Sequence, residues 1–165
     1  MSLYCLMCGE LLEKQEFQVR TREICPTCGW VYYQQLKVGA GVWLQRDGRL
    51  LLLKRSQAPF TGCWNLPAGY AEADEPPVLT AEREALEETG LRVRIGSLVD
   101  AFFFADDPRG NGILLVYTCE VVGGAVRLDN ESSEWGYFAP WEIPEALAGG
   151  GHDQAVHLWQ RGYGK

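Results

Sequence analysis

The chain has 165 residues, with 22 Asp and Glu against 15 Lys and Arg and a formal net charge of −7. That length fits one ordinary domain with at most a small appendage, and the acidity disfavours a broad nucleic-acid surface, because an acidic chain repels phosphate backbones. With 47% apolar and 12% aromatic residues the composition argues against disorder, no apolar run approaches the roughly 18 residues of a membrane helix, and the start MSLYCLMCGE lacks the basic flank and long apolar stretch of a signal peptide, so a soluble cytoplasmic protein is expected.

The first four cysteines are Cys5, Cys8, Cys25 and Cys28. They read as two C-x-x-C knuckles, and this separation suits one tetrahedral zinc with four thiolate ligands. Gly9 and Gly29 each follow a second knuckle cysteine, where the turn needs permissive backbone. Between the pairs, Phe17 to Ile24 alternates like a strand. Such a segment is too short to bury much surface, so Zn²⁺ would supply its folding energy. A redox C-x-x-C ordinarily comes singly beside a βαβ pattern, and a cytosolic chain disfavours disulfides. Cys63 and Cys119 stand outside any motif and read as small core or near-core residues.

After Tyr33 the pattern changes. Val38 to Leu44 is a β-rich run, the Asp-Gly of Arg46 to Arg49 marks a tight turn, and Leu50 to Leu53 is a continuous apolar strand. Ser56 to Leu66 reads as a loop. Pro76 and Pro77 precede a helix over Val78 to Thr89, which Gly90 stops. Leu91 to Phe104 reads as one or two strands, Asp106 to Gly112 as a turn, Ile113 to Val122 as a strand, and Trp135 to Phe138 as a short one. His152 to Trp159 fits a last helix with Ala155, Val156 and Trp159 on one side. Strands and helices intermix without regular βα alternation, which points to a mixed α/β sandwich.

Gly69 to Leu91 carries seven carboxylates against the single Arg83, so this stretch holds nearly all of the net charge. On a helical wheel Glu84, Glu87 and Glu88 share an arc of about 100°. Like charges at i,i+4 destabilise a helix, and a divalent cation bound by carboxylate oxygens reverses that sign. Arg83 and Glu87 are also i,i+4, so Arg83 can brace one carboxylate. Val78, Ala85 and Leu86 offer an apolar side to anchor the helix. Oxygen-only ligands favour Mg²⁺ or Mn²⁺, and Mg²⁺ completes its shell with substrate phosphates. The spacing therefore suggests metal-assisted attack on phosphorus.

Gly69, five residues, Glu75, seven residues, then Arg83 to Leu91 (REALEETGL) resembles the Nudix box in full, with all seven fixed identities present. The resemblance extends from Val38 to about Trp159. It implies a Nudix α/β/α sandwich with a mixed sheet over 35–165, and the four cysteines point to a zinc ribbon over 1–34 before it. It implies hydrolysis of a nucleoside diphosphate linked to another moiety, with Mg²⁺ or Mn²⁺ as cofactor. By position Glu84, Glu87 and Glu88 are the implied metal ligands, joined by the carbonyl of Ala68. Arg83 is the orienting brace, Glu75 supports the loop, and Gly69 and Gly90 are structural. A further acid from a later loop is implied in Glu131 to Glu134, and Glu131 is favoured because Glu134 abuts a strand. The family often forms homodimers, so a homodimer is expected.

The four-cysteine ribbon resembles two groups within this family. The NADH pyrophosphatases, which also remove NAD caps from RNA, carry a Ser-Gln-Pro-Trp-Pro-Phe signature after the box. The corresponding stretch here, GSLVDAFFFADDPRG, lacks it. The plant-type FAD/ADP-ribose pyrophosphatases share the short ribbon, the run Gly62 to Glu72 and the later segment Asn130 to Glu134, and this is the preferred resemblance. A non-catalytic ligand-sensing Nudix module is the alternative of a different class, and the intact REALEE helix argues against it. Phe60, Trp64, Tyr70, Phe102, Phe103 and Phe104 are candidates to stack a base, with core packing the default for each. Arg46, Arg55 and Arg109 could meet phosphate or ribose. His152 and His157 read as surface or helix-packing residues.

Overall fold

The structure is a computed structural model that describes residues 3–162, in two compact units dividing between Gln35 and Leu36. The first unit holds a three-stranded antiparallel sheet of β1 (Glu13–Phe17), β2 (Arg20–Ile24) and β3 (Val31–Tyr32). The alternating stretch from Phe17 to Ile24 is therefore not one strand. The chain reverses at Gln18 and Val19, with Gln18 at φ 57°, so that Phe17 pairs with Arg20. A two-residue turn leaves the period of two intact on either side, so the alternation carries no sign of the reversal. The core of this unit is Cys5, Leu12 and Cys25, with Leu3, Trp30 and Tyr32 packed on it.

The second unit continues with β4 (Lys37–Trp43), β5 (Gln45–Arg46), β6 (Arg49–Arg55), β7 (Trp64–Asn65), β8 (Ala68–Tyr70), helix α1 (Pro77–Thr89), β9 (Leu91–Phe104), β10 (Gly112–Gly124), β11 (Ser132–Phe138) and helix α2 (His152–Gly162). One sheet runs β8-β4-β10-β9, with β10 parallel to β4 and the other pairs antiparallel. The other runs β11-β6-β5, with β7 on β6. The Asp-Gly turn joins β5 to β6, and Asp47 and Gly48 take φ 51° and 71°, the left-handed pair a tight hairpin requires.

Two cores flank the sheets. Leu50 and Leu52 pack with Phe102, Phe104, Leu114, Val116, Ala155, Val156 and Trp159 under α2. Leu51 packs with Val42, Leu44, Ala81, Ala85, Leu91 and Val93 under α1. All of Leu50 to Leu53 are fully buried, because a strand covered on both faces hides odd and even positions alike. The mixed sheet between two helices is the expected α/β sandwich.

Helix α1 begins at Pro77, one residue before the expected start, with Pro76 as its extended N-cap. It ends at Gly90, at φ 72°, whose N–H donates to the Leu86 carbonyl at 2.8 Å. Its buried positions are Thr80, Ala81, Ala85, Glu88 and Thr89. Of the three residues expected to anchor it only Ala85 does so, while Val78 is 37% and Leu86 47% exposed. Small side chains at Ala81 and Ala85 let the helix axis approach the sheet, which bulky ones would hold off. α2 buries Ala155, Val156 and Trp159 as its spacing predicts. Among the described residues, no helix is long and apolar enough to cross a membrane.

Candidate active site

Strand β8 and the second half of α1, with the loop between them, bring the box together. Arg83 is its hub. Its Nε and Nη2 donate to the two oxygens of Glu75 at 3.0 and 2.9 Å, and its Nη1 donates to Glu84 at 2.6 Å and Glu87 at 3.1 Å. Nη2 also reaches the Tyr70 carbonyl at 3.3 Å, which ties the helix to β8. Thr80 donates its hydroxyl to Glu75 at 2.8 Å. Arg83, helped by Thr80, holds the Glu75 carboxyl down to about 2. Arg83 is thus a brace for three carboxylates, where its i,i+4 spacing pointed to one.

Glu88 lies on the buried face of α1, only 7% exposed, and accepts the Ala68 N–H at 2.9 Å. Burial raises its carboxyl well above the usual range, and the nearby Glu84, Asp129 and Glu131 add to this. Burial raises Glu84 as well, against the pull of Arg83. A Cβ at Gly69 would overlap the Glu84 carboxylate, so only glycine permits this approach.

Glu84, Glu87, Glu88 and Ala68 line one cavity of about 350 Å³. Glu131 lines it too, with Asp129, whose carboxylate accepts the Glu131 N–H at 2.9 Å. Glu134 is instead paired with Lys54 at 2.9 Å, away from this lining. Glu88 is buried beside Glu84, Asp129 and Glu131 with no ion-pair partner among the described residues, and a hard divalent cation fits such an oxygen-only set. The carboxylates stand further apart than a closed cage, since Arg83 Nη1 sits between Glu84 and Glu87. The set suits cations that arrive with further oxygen ligands.

The rest of the wall comes from Arg55, Phe60, Tyr70, Phe104, Arg109 and His152, among others. Asp107 is 6% exposed, accepts two nitrogens of Arg109 at 3.0 and 2.7 Å, and accepts the Tyr70 hydroxyl at 3.1 Å. Arg109 holds its carboxyl down to about 2. The Arg109 guanidinium lies 5.1 Å from the Tyr70 ring centre, and Lys37 lies 5.0 Å from it. Phe60 sits at φ 63°, an unusual backbone state for a bulky residue.

Trp64, Phe102, Phe103 and Arg46 do not line the cavity. Trp64 packs edge-on against Phe138, Phe102 is in the core, and Arg46 pairs with Asp47 on the surface. His157 is exposed, while His152 is a cavity residue. Its Nδ1 accepts the Leu66 N–H at 3.3 Å, and burial, aided by the charges of Arg55 and Arg109, lowers its imidazole to about 4. Asp107, Asp129 and His152 had no motif to reveal them, because loops far apart in the chain bring them to the box.

In the first unit the four sulfurs of Cys5, Cys8, Cys25 and Cys28 all lie within 4.8 Å of one another. Three of the separations are 3.4, 3.5 and 3.7 Å. Four thiolates at about 2.3 Å from a zinc would stand about 3.8 Å apart, so the set fits that ion. The knuckles match. Gly9 and Gly29 sit at φ 77° and 75°, and their N–H groups donate to the carbonyls of Cys5 and Cys25. The Met7 and Cys28 amides point at the sulfurs of Cys5 and Cys25. Cys63 and Cys119 lie outside the cluster, half-buried.

The chain is 35% identical over 103 residues to an ADP-ribose pyrophosphatase of Methanocaldococcus jannaschii, covering 62% of this chain and 61% of that protein. It is 35% identical over 115 residues to the NAD-capped RNA hydrolase NudC of Chromobacterium violaceum, covering 69% of this chain and 42% of that one. The chain thus spans about half the length of these two relatives. The solved structure of a NUDIX hydrolase from Nitrosomonas europaea superposes with a TM-score of 0.78 at 30% identity, covering 96% of this chain and 90% of that one. The NUDIX domain matches residues 35–159, the segment that carries the sandwich, the box and the cavity, and so the chain belongs to the NUDIX family of hydrolases.

Proposed function

We propose that the chain is a metal-dependent pyrophosphohydrolase that splits ADP-ribose, or a related nucleoside diphosphate such as FAD, into AMP and a phosphorylated product. The carrying observation is the single cavity of about 350 Å³ in which Glu84, Glu87, Glu88 and Glu131 meet Arg55, Arg109 and Tyr70. A carboxylate wall repels a pyrophosphate unless cations intervene, whereas an arginine wall attracts it directly. One cavity holding both suits a substrate that is anionic at its centre and bulky at its ends.

Glu84, Glu87 and Glu88 would hold Mg²⁺ or Mn²⁺, with the Ala68 carbonyl beside them, and such ions would neutralise phosphoryl charge and lower the pKa of water. Arg83 keeps Glu84 and Glu87 aimed into the cavity. Ala68 fixes Glu88 through its N–H. Glu131, exposed on its loop, would take the proton of the attacking water or complete the ligand set. Tyr70, held by Asp107 and Arg109, and Phe60 offer aromatic faces for a base or flavin. The zinc-binding reading of the four cysteines is structural, since all four positions of a tetrahedral ion are filled by sulfur.

The ADP-ribose pyrophosphatase among the relatives supports this substrate class. The similarity to NudC supports NADH and NAD-capped RNA as a second reading. The test is a panel of ADP-ribose, FAD, NADH, diadenosine polyphosphates and oxidised dNTPs, each with Mg²⁺ and with Mn²⁺. AMP released from ADP-ribose or FAD is expected. Preferential cleavage of NADH would shift the reading to the second class. Silence with every substrate would sink the enzyme reading.

A further inference from the structure

Three side chains in the cavity are tied down, Arg55 and His152 at one nitrogen and Arg109 at two, and each keeps a nitrogen open. Arg55 donates from Nε to the Pro59 carbonyl at 2.8 Å. The loop after β6 makes this possible by folding back, with the Arg55 and Gly62 amides bonded to the Cys63 and Arg55 carbonyls. Arg109 donates from Nε and Nη2 to Asp107. His152 accepts the Leu66 N–H at Nδ1, which places its own proton on Nε2 and makes that atom a donor. All three line the cavity, and none belongs to the box.

Arg55 is half-buried and, among the described residues, has no carboxylate within ion-pair distance. A shielded cation without a counter-charge is costly, and an anion entering the cavity removes that cost. The guanidinium fork matches phosphoryl oxygens, and its Nη hydrogens are the ones Arg55 leaves unused. Burial and the two arginine charges keep His152 neutral, with Asp106 and Asp107 acting the other way. It therefore adds a donor without adding charge.

We propose that Arg55, Arg109 and His152 form a second phosphoryl subsite, one that grips substrate oxygens without a cation and selects substrates by the phosphoryl group lying beyond the carboxylates. The subsite's role in turnover rests on the pyrophosphohydrolase reading. Its binding role does not. A sugar hydroxyl at this place would leave the Arg55 charge unanswered, whereas a phosphoryl group cancels it.

The test is titration calorimetry of the full zinc-loaded chain with the non-hydrolysable α,β-methylene analogue of ADP-ribose, in Mg²⁺. Arg55→Ala is expected to weaken binding tenfold or more, and Arg55→Lys to recover only part of it. His152→Ala is expected to weaken binding several-fold, and His152→Gln, which keeps an N–H donor, to restore most of the loss. Arg109→Ala strands Asp107, so Arg109→Lys is used beside it, with circular dichroism to confirm folding. The Mg²⁺ concentration for half-maximal hydrolysis should stay within twofold of wild type in the Arg55 and His152 variants. Affinities within twofold of wild type, or no analogue binding to wild type, would overturn the subsite. So would a loss that follows the Mg²⁺ requirement. If the substrate panel is silent but analogue binding depends on Arg55, the pyrophosphohydrolase reading fails and the subsite stands. If hydrolysis is robust and indifferent to Arg55, the reverse holds.

Discussion

Glu88 is a carboxylate with almost no water around it, facing Glu84 and Glu131 and steadied by one amide. In a purely structural role its removal would cost stability. As a metal ligand its charge is a liability until the ion binds. Glu88→Gln keeps an acceptor for the Ala68 N–H and drops the charge. It should abolish turnover while the melting temperature of the metal-free protein stays level or rises. A clear fall in that temperature would favour a structural role. Arg83 sits on the other side of this balance, since removing it leaves Glu75, Glu84 and Glu87 facing one another unpaired. Arg83→Ala should cost about 2 kcal/mol in urea unfolding, most of it recovered in a double variant with Glu75→Gln. His152 supplies a pH signature. Its imidazole stands near 6.5 unfolded and about 4 folded, so the unfolded chain binds the extra proton as pH falls between these values. Stability should therefore drop from pH 6.5 to 4, by on the order of 2–3 kcal/mol for this residue. His152→Gln should flatten that part of the stability curve relative to wild type.

At the scale of elements, α1 was the most legible part of the chain. Its prolines, its glycine stop and its acid spacing are local signals, and the structure has Pro76 and Gly90 at its ends and the three glutamates on one cavity wall. Its anchoring face was misread, because apolar character alone favours Val78 and Leu86. The close approach to β4 and β9 selects Ala81 and Ala85 instead. Steric room decides this, and room belongs to the partner sheet. Ala85→Leu should therefore destabilise by about 1–3 kcal/mol through overpacking, while Leu86→Ala should change stability by under about 1 kcal/mol. Both are read from denaturant midpoints. The β1–β2 hairpin shows the same limit in a strand. The alternation from Phe17 to Ile24 continues through a turn that only the pairing of Phe17 with Arg20 reveals.

For the whole molecule, the two units face different physical problems. The first has one small core, Cys5, Leu12 and Cys25 with Leu3, Trp30 and Tyr32 packed on it, too little apolar burial to fold such a short segment unaided. Elemental analysis of freshly purified reduced protein should find about one zinc per chain. Chelation should unfold this unit, seen as loss of protection from hydrogen exchange over residues 3–35, and Cys25→Ser should have the same effect. The second unit has two large cores of its own and should keep its protection. The four-cysteine knuckles, the hairpin at Asp47 and Gly48, the buried Leu50 to Leu53 strand and the grouping of Glu84, Glu87 and Glu88 were all legible in the sequence alone. Each depends on residue spacing along one element or one turn, where helix pitch, strand alternation or ligand number fixes the geometry. The companions of the box were decided only by the tertiary structure. Arg55 ends β6, Asp107 and Arg109 lie in the turn before β10, Asp129 and Glu131 precede β11, and His152 opens α2. No periodicity relates these positions. They meet because the sheets pair β6 with β11 and β4 with β10, and because the two cores hold both helices against them.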